Sequence, residues 1–282
     1  MGKNKIPLAL RFIQWFFPKL EAVAPSLANR YFIYIFFTPL HYGEPQKEKE
    51  LLKSATKFHV MLDLTRVQCY RWGDTGPKVM LVHGWAGRAG QFRAIIPALA
   101  DAGFQVFAFD GPAHGRSEGK QTNLMDFALV MQKLIDTEGE FAGAIGHSFG
   151  GIAGLYAIAH GLRIRKLITI SSPTLPTQVI NNFRNAINAS PKVEQALDTY
   201  LKKKYGKPFY EFSGIYCVKN LPGPLDLLVI QDENDPEVSV ENATELKKIY
   251  PAATIHFTKG LGHTRILRDD EVISVSLKFM ES

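Results

Sequence analysis

The pentapeptide GHSFG at residues 146–150 constrains the fold of this chain more than any other feature. It follows the apolar run FAGAI at residues 141–145 and precedes a helix-forming stretch at residues 151–160. A strand that turns sharply into a helix around a serine needs small residues on both sides, because larger side chains would clash with neighbouring backbone. The turn holds the hydroxyl at the positive end of the helix, where a developing oxyanion is stabilised. Ser148 is therefore the first candidate nucleophile, although the pattern alone is also typical of a serine helix cap.

Other apolar runs of β type also end in polar motifs. The run VMLV (79–82) is followed by HGWAG (83–87), VFAF (106–109) by DGPAHGRS (110–117), LLVI (227–230) by QDEND (231–235), and ATIHF (253–257) by KGLGH (259–263). Helix-forming stretches alternate with these runs, which predicts an α/β protein. Ligands of open α/β sheets bind at the carboxyl ends of the strands, where all these motifs lie.

This series of motifs resembles the α/β-hydrolase superfamily over roughly residues 55–282, with a gap between about 174 and 222. The resemblance implies the α/β-hydrolase fold, with a mostly parallel central sheet, helices on both faces and a small helical cap insert. The chain order in that fold is nucleophile, acid, histidine. Here that order gives Ser148, then Asp235 or Asp232, then His263. In one departure from the family pattern, Ala113 stands where a glycine is usual, in a structural turn.

The resemblance also assigns the acid and the oxyanion donors. Family members commonly carry the acid a few residues beyond the strand, followed by an apolar residue that plugs the loop into the core. Asp235 fits that spacing with Val238 as the plug, whereas Asp232 stands where a turn glycine is usual, so we expect Asp235 to serve His263. The resemblance implies that the backbone N–H groups of Trp85 and Phe149 form the oxyanion hole.

The remaining histidines have simpler interpretations. His83 and His114 lie in turns and are expected to hydrogen-bond the loop backbone. His147 is next to the candidate nucleophile, but strand alternation directs it away from the serine. His160 ends a helix, where a cation is favourable. We expect a structural role for each of these four.

The residue at the sharp turn, Ser148, limits the classes of reaction that the site can catalyse. Dehalogenases and epoxide hydrolases of this fold use aspartate there and dienelactone hydrolases use cysteine, whereas this chain has serine. The leading hypothesis is a serine hydrolase that cleaves a carboxylic ester, thioester or lipid ester without a cofactor. Acyl transfer or carbon–carbon bond hydrolysis by the same triad, and a non-catalytic small-molecule receptor, remain alternatives. No metal-binding cluster, phosphate loop or dinucleotide fingerprint occurs, so no metal, cofactor or nucleic-acid partner is expected.

Length and cysteine content suggest the organisation of the chain. Its 282 residues suit one large α/β domain with an insert. We predict an N-terminal helical extension (1–50), a hydrolase core in two parts (51–173 and 223–282) and a helical cap (174–222). The two cysteines, Cys69 and Cys217, form no disulfide framework, which favours a reducing compartment and a cytoplasmic protein. The sequence does not indicate the oligomeric state.

The N-terminal extension is basic and aromatic. Residues 1–40 carry five Lys or Arg residues against one Glu, out of a net charge of +6. A secretory signal is disfavoured because Arg11 and Gln14 interrupt the apolar stretch. The longest unbroken apolar run, residues 31–37, is too short to span a bilayer. Two hypotheses remain: an interfacial helix that contacts a membrane peripherally, or two short helices that pack their aromatic face on the hydrolase body.

Overall fold

The computed structural model describes residues 8–282, and within them the strands form one mixed sheet. The strands are β1 (Thr56–Leu62), β2 (Thr65–Trp72), β3 (Lys78–Val82), β4 (Gln105–Phe109), β5 (Gly143–His147), β6 (Lys166–Ile170), β7 (Asp226–Asp232) and β8 (Thr254–Thr258). Their order in the sheet is β1-β2-β4-β3-β5-β6-β7-β8. The pairs from β4 to β8 are parallel, and β2 is antiparallel to both of its neighbours. The prediction of a mostly parallel α/β sheet is confirmed.

Helices cover both faces of this sheet. They are α1 (Leu8–Val23), α2 (Pro25–Phe36), α3 (Gln46–Leu51), α4 (Ile95–Asp101), α5 (Leu124–Glu138), α6 (Phe149–Ala159), α7 (Pro176–Ala186), α8 (Lys192–Tyr205), α9 (Gly214–Lys219), α10 (Glu241–Ile249), α11 (Gly262–Arg265) and α12 (Asp270–Glu281). The buried residues of α5, α6 and α10 join one apolar cluster, and those of α4 and α12 join another. Alternation along β3 sends Met80 to the first cluster and Leu81 to the second, so the two clusters lie on opposite faces.

The segment around the pentapeptide is displaced by two residues from the predicted strand. β5 spans Gly143–His147 instead of residues 141–145, and α6 begins at Phe149, directly after the serine. Phe141 instead lies before the strand, buried edge-on against Phe107 at 5.1 Å between ring centroids. Glycine suits this position of the strand because a larger residue would clash with α12. A Cβ on Gly143 would lie 2.7 Å from Met280 Sδ.

The segment between β6 and β7 contains α7, α8 and α9, at the position predicted for a cap. We call residues 174–222 the cap insert. Its buried side chains include Val193, Leu197 and Leu201 of α8, which belong to neither of the two sheet-face clusters. The cap insert therefore has an apolar face of its own, and that face needs a partner.

The partner is the N-terminal hairpin, which we define as α1 and α2. Phe17 and Phe32 are fully buried in a third cluster, together with Ile180 and Leu197 of the cap insert. Phe32 also contacts Phe183 edge-on at 5.4 Å. The expected burial of an aromatic face is correct, but the expected partner is wrong, because that face packs on the cap insert. The hairpin meets the hydrolase body through a hydrogen bond from Gln121 Nε2 to the Tyr34 carbonyl at 2.8 Å. Each buried phenylalanine contributes roughly 1.5–3 kcal/mol of transfer free energy, which offsets the cost of ordering this segment.

The stretch after the hairpin, residues 37–45, lies against the hydrolase core, and we call it the strap. The Phe37 carbonyl accepts from Thr122 N at 2.9 Å, and the Tyr42 carbonyl accepts from the Arg88 guanidinium at 2.8 Å. Glu44 pairs with Arg116 at 3.0 Å. The predicted N-terminal extension thus has two parts, of which the hairpin contacts the cap insert and the strap contacts core loops.

The basic side chains of the hairpin are Arg11, Lys19 and Arg30, and all three are exposed. Lys3 and Lys5, which contribute to the predicted charge, lie outside the described residues. Within residues 8–282 no helix combines the length and the apolar content that crossing a bilayer requires.

Candidate active site

Ser148 stands at a strained turn between β5 and α6. Its φ of 51° and ψ of −119° place it in a region that costs a non-glycine residue about 1–3 kcal/mol. The flanking glycines make the turn sterically feasible. A Cβ on Gly146 would lie 2.5 Å from the Gly150 carbonyl carbon, and one on Gly150 would overlap the Val82 carbonyl oxygen. The Ser148 N–H donates to the Ile170 carbonyl at 2.9 Å, which ties the turn to the neighbouring strand.

His263 and Asp235 are joined by a hydrogen bond. The Nδ1 atom of His263 lies 2.9 Å from Asp235 Oδ2. The Asp235 side chain is fully buried, and its other oxygen accepts from the backbone N–H groups of Glu237 (2.8 Å) and Val238 (3.1 Å). Burial by itself raises the pKa of Asp235, but the hydrogen bond and charge of His263 and these two donors together hold it below its ordinary value. The pair presents an ionised carboxylate to one ring nitrogen of the histidine.

Asp232, the other candidate acid, has a different set of partners. One oxygen accepts from Thr258 Oγ1 (2.8 Å) and Leu261 N (2.9 Å), and the other accepts from Asn234 N (3.0 Å). None of these donors is a ring nitrogen of His263. Asp232 therefore ties the end of β7 to the segment that leads into His263.

Glu237 also approaches the histidine, which no motif in the sequence indicates. Its carboxylate Oε2 lies 3.6 Å from Nε2 of His263, and the side chain is 62% exposed. Burial lowers the pKa of His263, but its hydrogen bond to Asp235 and the charges of Glu237 and Asp235 outweigh the effect of burial, so the pKa lies above the ordinary value.

His147 holds the backbone of His263. A carbonyl can only accept, so Nε2 of His147 carries the proton that it donates to the His263 carbonyl at 2.8 Å. Nδ1 is then free to accept from the Gln91 amide at 3.1 Å. Burial lowers the pKa of His147 to about 3, aided by the neighbouring His263, so the ring is neutral. The structural role expected for His147 is correct, but its partners Gln91 and His263 are distant in sequence and were not predictable.

The loop at residues 83–87, which we call the oxyanion loop, passes close to Ser148. A Cβ on Gly84 would lie 3.1 Å from Ser148 Cβ. The backbone N–H groups of Trp85 and Phe149 have no hydrogen-bond acceptor among the described residues. Their side chains touch edge to face at 5.2 Å and are partly exposed. Two donors that the protein leaves unsatisfied, one directly after the strained serine and one in the loop whose Gly84 approaches it, could receive a negatively charged oxygen.

Two neutral histidines, His83 and His114, hold this loop through hydrogen bonds to its backbone, as predicted from the sequence. His83 Nε2 accepts from Gly111 N at 2.7 Å, while its Nδ1 donates to the Gly84 carbonyl at 2.7 Å. His114 Nε2 accepts from Ala86 N at 3.0 Å, while its Nδ1 donates to the Pro112 carbonyl. Burial holds the pKa of His83 well below its ordinary value and lowers the pKa of His114 to about 4.

Asp110 and Ala113 complete the support of the loop. The fully buried Asp110 carboxylate accepts from Ala89 N (2.8 Å), Arg116 N (2.9 Å) and the Tyr70 hydroxyl (3.0 Å). Ala113, where the family usually has glycine, adopts the left-handed φ of 61° that glycine favours. The turn thus keeps its shape despite the substitution.

The described residues around the candidate site were considered as metal ligands and as the lining of a groove. Within residues 8–282 no three His, Cys, Asp or Glu side chains are grouped so that they could hold a metal ion. A groove of about 440 Å³ lies beside β8, but it is polar and open, and neither Ser148 nor His263 lines it.

Comparisons with known proteins support the resemblance to the α/β-hydrolase superfamily. A family model for the alpha/beta hydrolase fold matches residues 77–213. A serine hydrolase-like protein of Danio rerio is 25% identical over 150 residues, which span 48% of this chain and 45% of that protein. A monoacylglycerol lipase of Mycolicibacterium smegmatis is 34% identical over 88 residues, which span 28% of this chain and 31% of the lipase. A solved structure of an esterase from Pyrococcus furiosus, 20% identical, aligns with a TM-score of 0.67 over 87% of this chain and 97% of the esterase.

The chain has the α/β-hydrolase fold, and the predicted resemblance to the α/β-hydrolase superfamily and the predicted fold class are confirmed. It is similar to hydrolases of the esterase and lipase type. The chain spans less than half the length of the two curated relatives described above.

Proposed function

We propose that this chain is a serine hydrolase that cleaves a carboxylic ester through an acyl-enzyme on Ser148. The observation that carries the proposal is the strained backbone of Ser148, held between two glycines that tolerate no side chain. Strain of this kind persists only where the surrounding structure enforces it, and it is concentrated at functional sites. A serine that served only to cap α6 would not need this conformation, and its side chain makes no capping hydrogen bond here.

In the proposed first step, Ser148 Oγ attacks the acyl carbon of the ester. His263 Nε2 takes the hydroxyl proton as the bond forms, because a serine hydroxyl is a poor nucleophile at neutral pH without a base. The tetrahedral intermediate collapses, the C–O bond to the alcohol breaks, and His263 returns the proton to the leaving alkoxide. A water molecule then attacks the acyl-serine by the same route and releases the acid and the free enzyme.

Asp235 supports His263 in both steps. Its hydrogen bond to Nδ1 fixes the tautomer that leaves Nε2 able to accept a proton, and its charge stabilises the imidazolium that forms. His147 contributes indirectly, because it fixes the His263 carbonyl and so limits rotation of the segment that carries the imidazole. His147 is a positioning residue in this scheme.

The developing oxyanion would be received by the N–H groups of Trp85 and Phe149. The positive end of the α6 dipole lies at the same point and favours negative charge. Donors that are fixed before the reaction cost no reorganisation when the charge forms, and losing one typically costs about 100- to 1000-fold in rate.

A carboxylic ester is the substrate class that the residues and the relatives favour together. Relatives of this chain include a monoacylglycerol lipase and an esterase, and the residue at the elbow is a serine. The cap insert is interpreted as the lid that shapes the acyl or alcohol pocket. Acyl transfer and carbon–carbon bond hydrolysis would use the same residues, and product analysis with added alcohol acceptors separates them from hydrolysis.

The experiment is labelling with a fluorophosphonate probe, combined with hydrolysis of p-nitrophenyl esters of increasing chain length. We expect wild type to label and to turn over, and Ser148→Ala to lose both while its melting temperature is retained. Ser171→Ala is the matched control, because Ser171 also has a positive φ (48°) at the end of the adjacent strand β6, yet it is fully buried. Wild type that neither labels nor hydrolyses, or a folded Ser148→Ala that retains activity, would contradict the proposal and favour a receptor or another nucleophile.

A further inference from the structure

Helix α1 is apolar on two sides, which lie about 100° apart around its axis. One side, with Ile13, Phe17 and Leu20, packs into the cluster shared with the cap insert. The other side carries Phe12, Trp15, Phe16, Lys19 and Val23, which form two rows at helical spacings of three and four, 12-15-19-23 and 12-16-19-23. Phe12 is 58% exposed, Trp15 61% and Val23 86%. An amphipathic surface helix needs only one apolar side, so the second side is not explained by packing within the chain.

The exposed side extends across both helices of the hairpin. Phe12 stacks on Phe16 at 5.6 Å, and Phe16 meets Tyr31 of α2 edge-on at 6.4 Å. Leu27, near the tip where α1 joins α2, is also more than half exposed. We call this surface the outer face, and define it as Phe12, Trp15, Phe16, Val23, Leu27 and Tyr31. A contiguous exposed apolar patch of this kind is typical of an interaction site.

Cations accompany the outer face, and carboxylates do not. The hairpin carries the exposed side chains of Arg11, Lys19 and Arg30. The Lys19 Nζ lies 3.3 Å from the centroid of the Trp15 ring, so this cation lies directly over the apolar surface. Glu21 is the single acidic residue of α1 and α2, and both of its oxygens bond Ser190 of the cap insert, on the buried side.

We propose that the outer face docks on the surface of an anionic phospholipid bilayer. Trp, Tyr and Phe rings suit the region between acyl chains and headgroups, while Lys and Arg stems lie along the apolar surface and carry their charge to the phosphates. A second copy of this chain fits less well, because an isologous pair would bring Arg11, Lys19 and Arg30 of each copy toward their equivalents, with no free carboxylate on the face to pair with them.

The docking would place the cap insert next to the lipid. The hairpin and the cap insert share one buried cluster, so a membrane that holds the outer face also orients the cap insert. Binding does not depend on the chemistry at Ser148. The Ser148→Ala variant should therefore bind vesicles as wild type does, and failure of the proposed activity would leave this inference intact.

The test is sedimentation of the full chain with large vesicles of phosphatidylcholine, with and without phosphatidylglycerol. We expect binding to the anionic vesicles only, weaker at 1 M salt than at 0.1 M, because the Debye length falls from about 10 Å to about 3 Å. The double variant Phe12→Ser/Trp15→Ser should lower the partition coefficient about tenfold or more. Lys19→Glu should lower it and should also reduce the salt dependence.

The matched control removes exposed apolar side chains elsewhere. Leu64→Ser/Leu129→Ser changes two leucines that are 94% and 49% exposed on the hydrolase body, and it should bind as wild type does. Light scattering without lipid tests whether a second copy of this chain covers the outer face instead. The proposal is overturned by wild type that binds no vesicles, by equal loss of binding in the control variant, or by a dimer that the Phe12→Ser/Trp15→Ser variant dissociates.

Discussion

The carboxylate of Glu237 lies 3.6 Å from Nε2 of His263, the ring nitrogen opposite the one that Asp235 holds. The imidazole is therefore placed between a fully buried carboxylate and an exposed one. In the proposed mechanism Nε2 takes the serine proton and returns it to the leaving group. The exposed carboxylate therefore affects the pH range in which His263 can act as a base.

Glu237→Gln should shift the acid limb of the pH–rate profile to lower pH. The negative charge of Glu237 stabilises the imidazolium and helps to raise the pKa of His263, and the base is active only when neutral. Removing the charge lowers that pKa, so half-maximal kcat/KM is reached at a lower pH. Because Glu237 is largely exposed and screened by solvent, we expect the shift to be small and to diminish as the salt concentration rises. Glu233→Gln, an exposed glutamate of the same segment that pairs with Lys259, is the control, and an equal shift in both variants would contradict this account.

Asp235→Asn should lower turnover by roughly a thousandfold or more, by analogy with triads that lose their acid. Asp232→Asn should reduce turnover far less. It should instead lower stability by about 1–3 kcal/mol, because one carboxylate oxygen accepts from Thr258 and Leu261 and the other from Asn234, and an amide replaces one of these two acceptors with an NH2 donor. Steady-state kinetics and thermal unfolding of the two variants distinguish these outcomes. A folded Asp232→Asn with the larger loss of turnover would reverse the assignment.

The protein should lose stability as the pH falls from about 6.5 toward 4. Burial depresses the folded-state pKa of His83, His114 and His147, with values of about 4 for His114 and about 3 for His147. The unfolded chain then binds more protons than the folded one below the ordinary histidine pKa, so stability is fully present above that pKa and declines below it. Each such histidine contributes a slope of up to about 1.4 kcal/mol per pH unit.

Melting temperatures across this range test the slope. His114→Asn should be less stable than wild type at neutral pH but should show a shallower decline toward acid. His59→Asn removes an exposed histidine and should keep the wild-type slope. An unchanged slope in His114→Asn would show that other groups control the acid loss.

Phe32→Ala should loosen the N-terminal hairpin and the cap insert together. Phe32 is fully buried between them, and a buried phenylalanine-to-alanine change costs about 3–5 kcal/mol. Hydrogen exchange followed by mass spectrometry should show faster exchange in α1, α2, α7 and α8, with β3 to β6 little affected. Leu27→Ala, on the exposed side of the same helix, is the control. Faster exchange in the hairpin alone would show that the two segments are not one unit.

The sequence predicted those parts of the fold that depend on local pattern. The Ser148 elbow was predictable because its glycines and apolar run are contiguous, and the strand-end motifs were predictable because parallel strands share an edge. Periodicity also indicated that the N-terminal helices bury an aromatic face. It could not indicate the partner, because an apolar stripe on a helix is equally suited to a sheet or to another helix.

Other features depend on contacts between distant segments. Glu237 is an exposed polar residue with no motif of its own, and only the path of the loop after β7 brings it to Nε2 of His263. The link from Gln91 through His147 to the His263 carbonyl joins three segments of the chain. A hydrogen-bond chain of this kind leaves no periodic or compositional signal in the sequence.

The strap changes how the cap insert can move. Two segments, one before α7 and one after α9, join the cap insert to the core. These two connections by themselves would define a hinge axis about which the cap insert could rotate. The N-terminal hairpin is packed on the cap insert, and the strap then fixes the hairpin to core loops through Thr122, Arg88 and Arg116. A body held at a third point away from the axis cannot rotate freely about it. If the cap insert is the lid of the proposed active site, substrate access would use a tilt that stretches the strap, or a side opening that leaves all three attachments in place.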